Sequence, residues 1–137
     1  MIISNEVKSR FIDLSVVESV NDYYPSYKLV AKLVTENITC SLDNYIWICE
    51  EDLENFISGL ENLDKTRNGR VGLQSMSPDA FNLVFSAIDN HGHLSVELHI
   101  NKEGLAQVDY SFGIRASFQV DSTILPSVIK ELKRFKE

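Results

Sequence analysis

FNLVFSAIDNHGHLSVELHI, residues 81–100, sets the architecture of this chain. Phe81, Leu83, Phe85 and Ala87 alternate with Asn82, Val84, Ser86 and Ile88. Beyond Asp89-Asn90-His91-Gly92, Leu94, Val96, Leu98 and Ile100 alternate with His93, Ser95, Glu97 and His99. Period-two alternation on both sides of a short polar segment predicts a β-hairpin. Gly92 takes positive φ without steric cost, and Asp and Asn suit tight turns.

Working outward, the same period recurs. Ile12, Leu14 and Val16 alternate with Asp13 and Ser15, which predicts a strand over 11–20. Asn21 to Ser26 carries turn chemistry around Pro25, and Tyr27, Leu29, Ala31 and Leu33 then resume the alternation. Residues 38–48 read as extended, with an interruption near Asp43-Asn44. Val71 and Leu73 predict a short strand before the hairpin. After a turn over Asn101 to Ala106, the residues from Val108 to Val120 form one long alternating run, in which Gly113 suggests a bulge or bend.

The period changes twice. Leu53, Phe56, Ile57, Leu60 and Leu63 form one apolar stripe on a helix over about 50–63, with Glu50, Glu51 and Asp52 at its positive end. Leu125, Val128, Ile129 and Leu132 predict a second helix over about 123–135, with Ser122 or Thr123 as cap and a basic last turn. The connections are too short for repeated parallel crossovers. The expected class is therefore α+β: a curved, mostly antiparallel sheet with two helices on its apolar face.

The 137 residues amount to one domain, 1–137, large enough to bury about two-thirds of the unfolded chain's surface. No window approaches the ~18 apolar residues of a membrane span. MIISNEVKSRF has no basic segment followed by an apolar run, so the expected compartment is the cytoplasm. A net charge of −7 argues against nucleic acid and anionic membrane as partners and suits a basic protein. Cys40 and Cys49, nine apart, match no zinc spacing and read as packing thiols.

Sites of chemistry are sparse. No Gly-x-Ser-x-Gly elbow is present, and Gly69-Arg70-Val71-Gly72 is no P-loop. Glu97 and His99 share a face and could give two ligands, with Asp109 and Arg115 on the neighbouring strand; the plainer reading is a wet polar face. His93 is about 20 Å from His99 along the strand, too far to share one ion. No metal, cofactor or catalytic residue is expected. Glu50, Glu51, Asp52, Glu54, Glu61 and Asp64 make the first helix acidic, a surface able to steer a cationic protein, with Trp47, Tyr45 and the Tyr23-Tyr24 pair as aromatic anchors. A solvated helix face is the competing reading. Asp89, Gly92 and His93 are expected to act structurally, with a His93 ring nitrogen bonded to Asp89 or to turn backbone.

One pattern extends beyond periodicity. Trp47, Leu53-x-x-Phe56, Leu60, Gly72, Asp89-x-x-Gly92-His93-Leu94-x-Val96 and the helix reaching Phe135 resemble a group of small bacterial proteins of unknown function. That group is similar in turn to the WapI-type immunity proteins, which neutralise cognate polymorphic toxins. The resemblance runs from Trp47 to Phe135. It implies an α+β fold and binding without catalysis, and it brings no catalytic residue to carry over. The leading expectation is a cytosolic protein-binding module that occludes a basic partner. The alternative is a small-ligand or metal-binding protein, or an enzyme, working from the face around His99. A homo-oligomeric module built on a sheet edge is the third.

Overall fold

A computed structural model describes residues 1–77, 79–103 and 111–137. Strands β1 (Ile2–Ser4), β2 (Phe11–Val20), β3 (Ser26–Val34) and β4 (Thr39–Cys49) form one antiparallel sheet in that order. Helix α1 (Glu50–Thr66) follows without a linker, because Cys49 is both the last strand residue and the helix N-cap. Strands β5 (Arg70–Gln74), β6 (Phe81–Ala87), β7 (His93–Glu103) and β8 (Ser111–Asp121) form a second antiparallel sheet, also in sequence order. A single 3-10 turn, Ser122–Ile124, leads into α2 (Leu125–Arg134).

The α+β class, the antiparallel pairing and both helices agree with the sequence pattern. The expected curved sheet is divided into two four-stranded sheets. The 17 residues of α1 span about 25 Å and carry the chain from one to the other, so β4 and β5 do not pair. A backbone bond links their neighbourhoods, from Met76 N–H to Trp47 O at 2.7 Å.

One core joins these layers. Ile12, Leu14, Leu29, Leu33, Ile46 and Ile48 come from the first sheet, and Leu83, Phe85, Val96, Leu98 and Val120 from the second. All five stripe residues of α1 and the four of α2 are buried in the same cluster. Phe56 meets Phe85 with ring centroids 6.2 Å apart. Gly59 allows α1 to lie on β5: a Cβ there would stand 2.3 Å from Val71 Cγ2.

Four local expectations are corrected. Gly113 marks no bulge, since the β7–β8 register runs unbroken through Asn101↔Gly113; a Cβ at Gly113 would come within 2.6 Å of Asn101 Oδ1. The register shifts lie instead between Val16 and Glu18 and between Leu29 and Ala31. The chain before α2 is capped by Asp121, whose carboxylate accepts from Thr123 N–H at 2.9 Å, rather than by Ser122 or Thr123. Burial along β8 also fades: Phe118 and Val120 are buried, whereas Phe112 is 68% exposed. The expected turn over Asn101 to Ala106 also starts too early, because Asn101 to Glu103 continue β7 in register with β8; its remainder and the start of the long run, Gly104 to Tyr110, are outside the described residues.

Candidate functional site

Two backbone bonds gather three segments at one end of the molecule. Glu50 N–H donates to Pro25 O at 2.9 Å, which holds the β2–β3 turn against the first turn of α1. The Met76 to Trp47 bond holds the β5–β6 connection against the end of β4. This end carries exposed apolar area: Tyr23 and Tyr24 are 87% and 71% exposed and touch edge to face, with centroids 5.0 Å apart, and Met76 is also exposed. Trp47 is half-buried on the outer face of the first sheet, with Lys28 Nζ 5.6 Å from its ring centroid. Lys28 in turn faces Glu18 at 3.7 Å.

The acidic residues of α1 have different fates. Glu50 accepts a hydrogen bond from the Tyr27 hydroxyl at 2.9 Å. Burial, and then that carboxylate, push the Tyr27 pKa up to about 12. Glu54 is taken by Lys136 and Glu61 by Lys133 at 3.2 Å, so the basic end of α2 answers one side of the acidic helix. The Glu54 contact raises the Lys136 pKa. Asp64 pairs with Arg67 at 3.5 Å. The Glu51 and Asp52 carboxylates are exposed and hold no ion pair or hydrogen bond among the described residues.

The polar face of the second sheet is ordered by register. Asn82, His99 and Arg115 stand in one row across β6, β7 and β8; Val84, Glu97 and Ser117 stand in the next. Glu97 Oε1 accepts from the Arg115 guanidinium at 2.8 and 2.9 Å and also meets His99 Nε2. The His99 contact, followed by Arg115, lowers the Glu97 pKa. One carboxylate oxygen thus serves two partners, the arrangement of an ion-pair cluster. Asp109, the proposed fellow of this set, lies outside the described residues. Among the described residues no group of three or more His, Cys, Asp or Glu is placed to hold a metal.

The hairpin tip brings its three predicted residues together. Asp89 Oδ1 accepts from His91 N–H at 2.8 Å, and Asp89 Oδ2 lies 2.7 Å from His93 Nδ1. This contact raises the His93 pKa and lowers that of Asp89. Gly92 has φ +98°, and its carbonyl accepts from Ser122 N–H at 2.9 Å, tying the tip to the approach to α2.

Sequence reading passed over Asn55, Gln74, Asn82 and Met76. Asn82 could have been found from its parity, because it occupies the outer face with Val84, Glu97 and His99. Met76 carried no signal, since only the long-range bond to Trp47 brings it beside the aromatic residues.

The fold and these surfaces define an α+β protein of two antiparallel sheets, with an aromatic and acidic end and an ion-paired outer face. The chain belongs to the WapI-like immunity protein family, whose model matches residues 6–135. The match takes in β2, β3 and β4 of the first sheet as well as the region from Trp47 onward. Neither the curated proteins nor the solved structures gave a match. No helix among the described residues is long and apolar enough to cross a membrane.

Proposed function

We propose that this chain is an immunity protein of the cytoplasm that acts as one domain, binding a basic cognate toxin domain and occluding it. Family membership supports the role. The observation that carries the location is the end built from Tyr23, Tyr24, Trp47 and Met76 beside Glu51 and Asp52. Exposed tyrosines and a half-buried tryptophan are the side chains that most often anchor protein interfaces. Two carboxylates without partners beside them supply the attraction for a cationic surface. Occlusion needs only a complementary surface, so no catalytic group is required of this chain.

The test is calorimetric titration of the purified cognate toxin domain at low and moderate salt. The expected outcome is a one-to-one complex whose affinity falls with salt, and which weakens about thirtyfold or more in a Tyr23→Ala/Tyr24→Ala double variant. A toxin that binds the double variant as tightly as wild type would move the interface elsewhere. A toxin that does not bind at all would remove the immunity reading.

A further inference from the structure

Beside that end, a recess of about 500 Å³ opens where α1 passes the β5 edge of the second sheet. Its floor is carbon: the Phe56 ring, Val71 and Val84. Its rim is polar: Asp52 and Asn55 from α1, Gln74 and Asn82 from β5 and β6. These four side chains make no hydrogen bond or ion pair among the described residues. Arg70 borders the far end, four residues from Gln74 and so about 13 Å along the strand. The recess is therefore anionic where it meets the aromatic end and cationic at the other.

Gly72 leaves this space open, and the fold gives no reason for a glycine there. Its φ is not in the left-handed region, which among the described glycines holds only Gly69 and Gly92. A Cβ at Gly72 would meet Val84 Cγ2 at 3.4 Å and Asn82 Oδ1 at 3.6 Å, ordinary contact distances. Glycine inside a strand loses packing and conformational entropy that a β-branched residue would supply. Gly59 on the helix opposite is different, because packing against Val71 demands it. At Gly72 neither backbone conformation nor a steric demand calls for glycine, and its missing side chain leaves the recess open.

We propose that the recess receives an arginine side chain of the toxin. A long aliphatic stem fits a carbon floor, and a cationic head fits a carboxylate among amide oxygens. Guanidinium suits this rim better than ammonium, because its planar fork reaches the Asp52 carboxylate with two N–H groups and leaves others for Asn55, Gln74 and Asn82. Arg70 keeps the cation at the Asp52 end. The proposal depends on the immunity reading only for the source of the side chain.

The experiment follows backbone amides by two-dimensional NMR while adding N-acetyl-arginine amide, with the neutral isostere N-acetyl-citrulline amide as its match. Saturable shifts at Asn55, Gly72 and Asn82 with the arginine compound are expected, and none with the citrulline compound. Asp52→Asn and Gly72→Val should each weaken them at least tenfold. Gly72→Val should melt no lower than wild type, which separates a filled recess from a damaged fold. Absence of saturable shifts, equal shifts with citrulline, or an unaffected Gly72→Val protein would overturn the proposal. With the toxin itself, Gly72→Val should weaken binding about thirtyfold or more. A toxin bound equally well by Gly72→Val overturns the recess but leaves the immunity reading standing. A toxin bound by no form of the protein removes the immunity reading, and the arginine titration then decides the recess alone.

Discussion

The two flanks of α1 carry the same kind of residue and put it to different ends. On the flank facing α2, Glu54 and Glu61 are held by Lys136 and Lys133. On the flank facing the second sheet, Asp52 stands beside Asn55 over an open recess. In sequence these carboxylates are one acidic run. In the fold one flank is closed by charges from the end of the chain and the other stays open. Net charge therefore does not tell which carboxylates are free; internal pairing does.

The sharpest way to break this comparison is to dislodge the helix that carries both flanks. Leu60 is fully buried in the core, and Leu60→Ala should cost about 2–5 kcal/mol in a denaturant titration. A cost below 1 kcal/mol would mean that α1 is not seated as described. Gly59→Ala comes next, at about 1–3 kcal/mol, because its new methyl would meet Val71 and lift both flanks from β5. An unchanged midpoint would contradict that close approach.

A smaller effect separates the flanks by kinetics. Reversing Glu51 and Asp52 together to lysine should slow association with the toxin about tenfold at low salt, and the gap should narrow as salt rises. An on-rate that ignores the reversal would show that the open flank steers nothing.

The hairpin tip offers a comparison by pH. The Asp89 pKa is lowered from its ordinary 3.8, so its contribution is present above that value and lost as pH falls through the folded pKa. The His93 pKa is raised from 6.5, so its contribution is full below that value and lost as pH rises through the folded pKa. The difference in melting temperature between wild type and His93→Ala should be greatest between about pH 4 and 6.5 and should shrink at pH 9. A difference that is flat with pH would deny the pair any role. Smallest of all is Glu61→Gln: its pair with Lys133 is exposed on both sides, and the melting temperature should stay within experimental scatter.

Local order was legible in the chain because local periodicity caused it. The alternation from Phe81 to Ile100 became β6 and β7, and every residue of the Leu53 to Leu63 stripe is buried. What escaped depends on contacts between residues far apart. Lys136 meets Glu54 across 82 positions, so the acidic helix could not be seen as half neutralised. Gly113 reads as a bulge until Asn101 is known to lie against it. The division into two sheets follows from where α1 takes the chain, which no window of sequence records. For the candidate site, Trp47, Glu51 and Asp52 could be named in advance. Met76 and Asn55 could not, because they join the site only through bonds and walls formed in the fold.

The absence of any linker between β4 and α1 has a kinetic consequence. Cys49 ends one element and caps the next, so Trp47 and the first helical turn share a frame with no slack. A surface fixed in this way gives up little conformational freedom on association. That rigidity should accordingly be expressed as long residence of the bound partner, over and above the on-rate that Glu51 and Asp52 set.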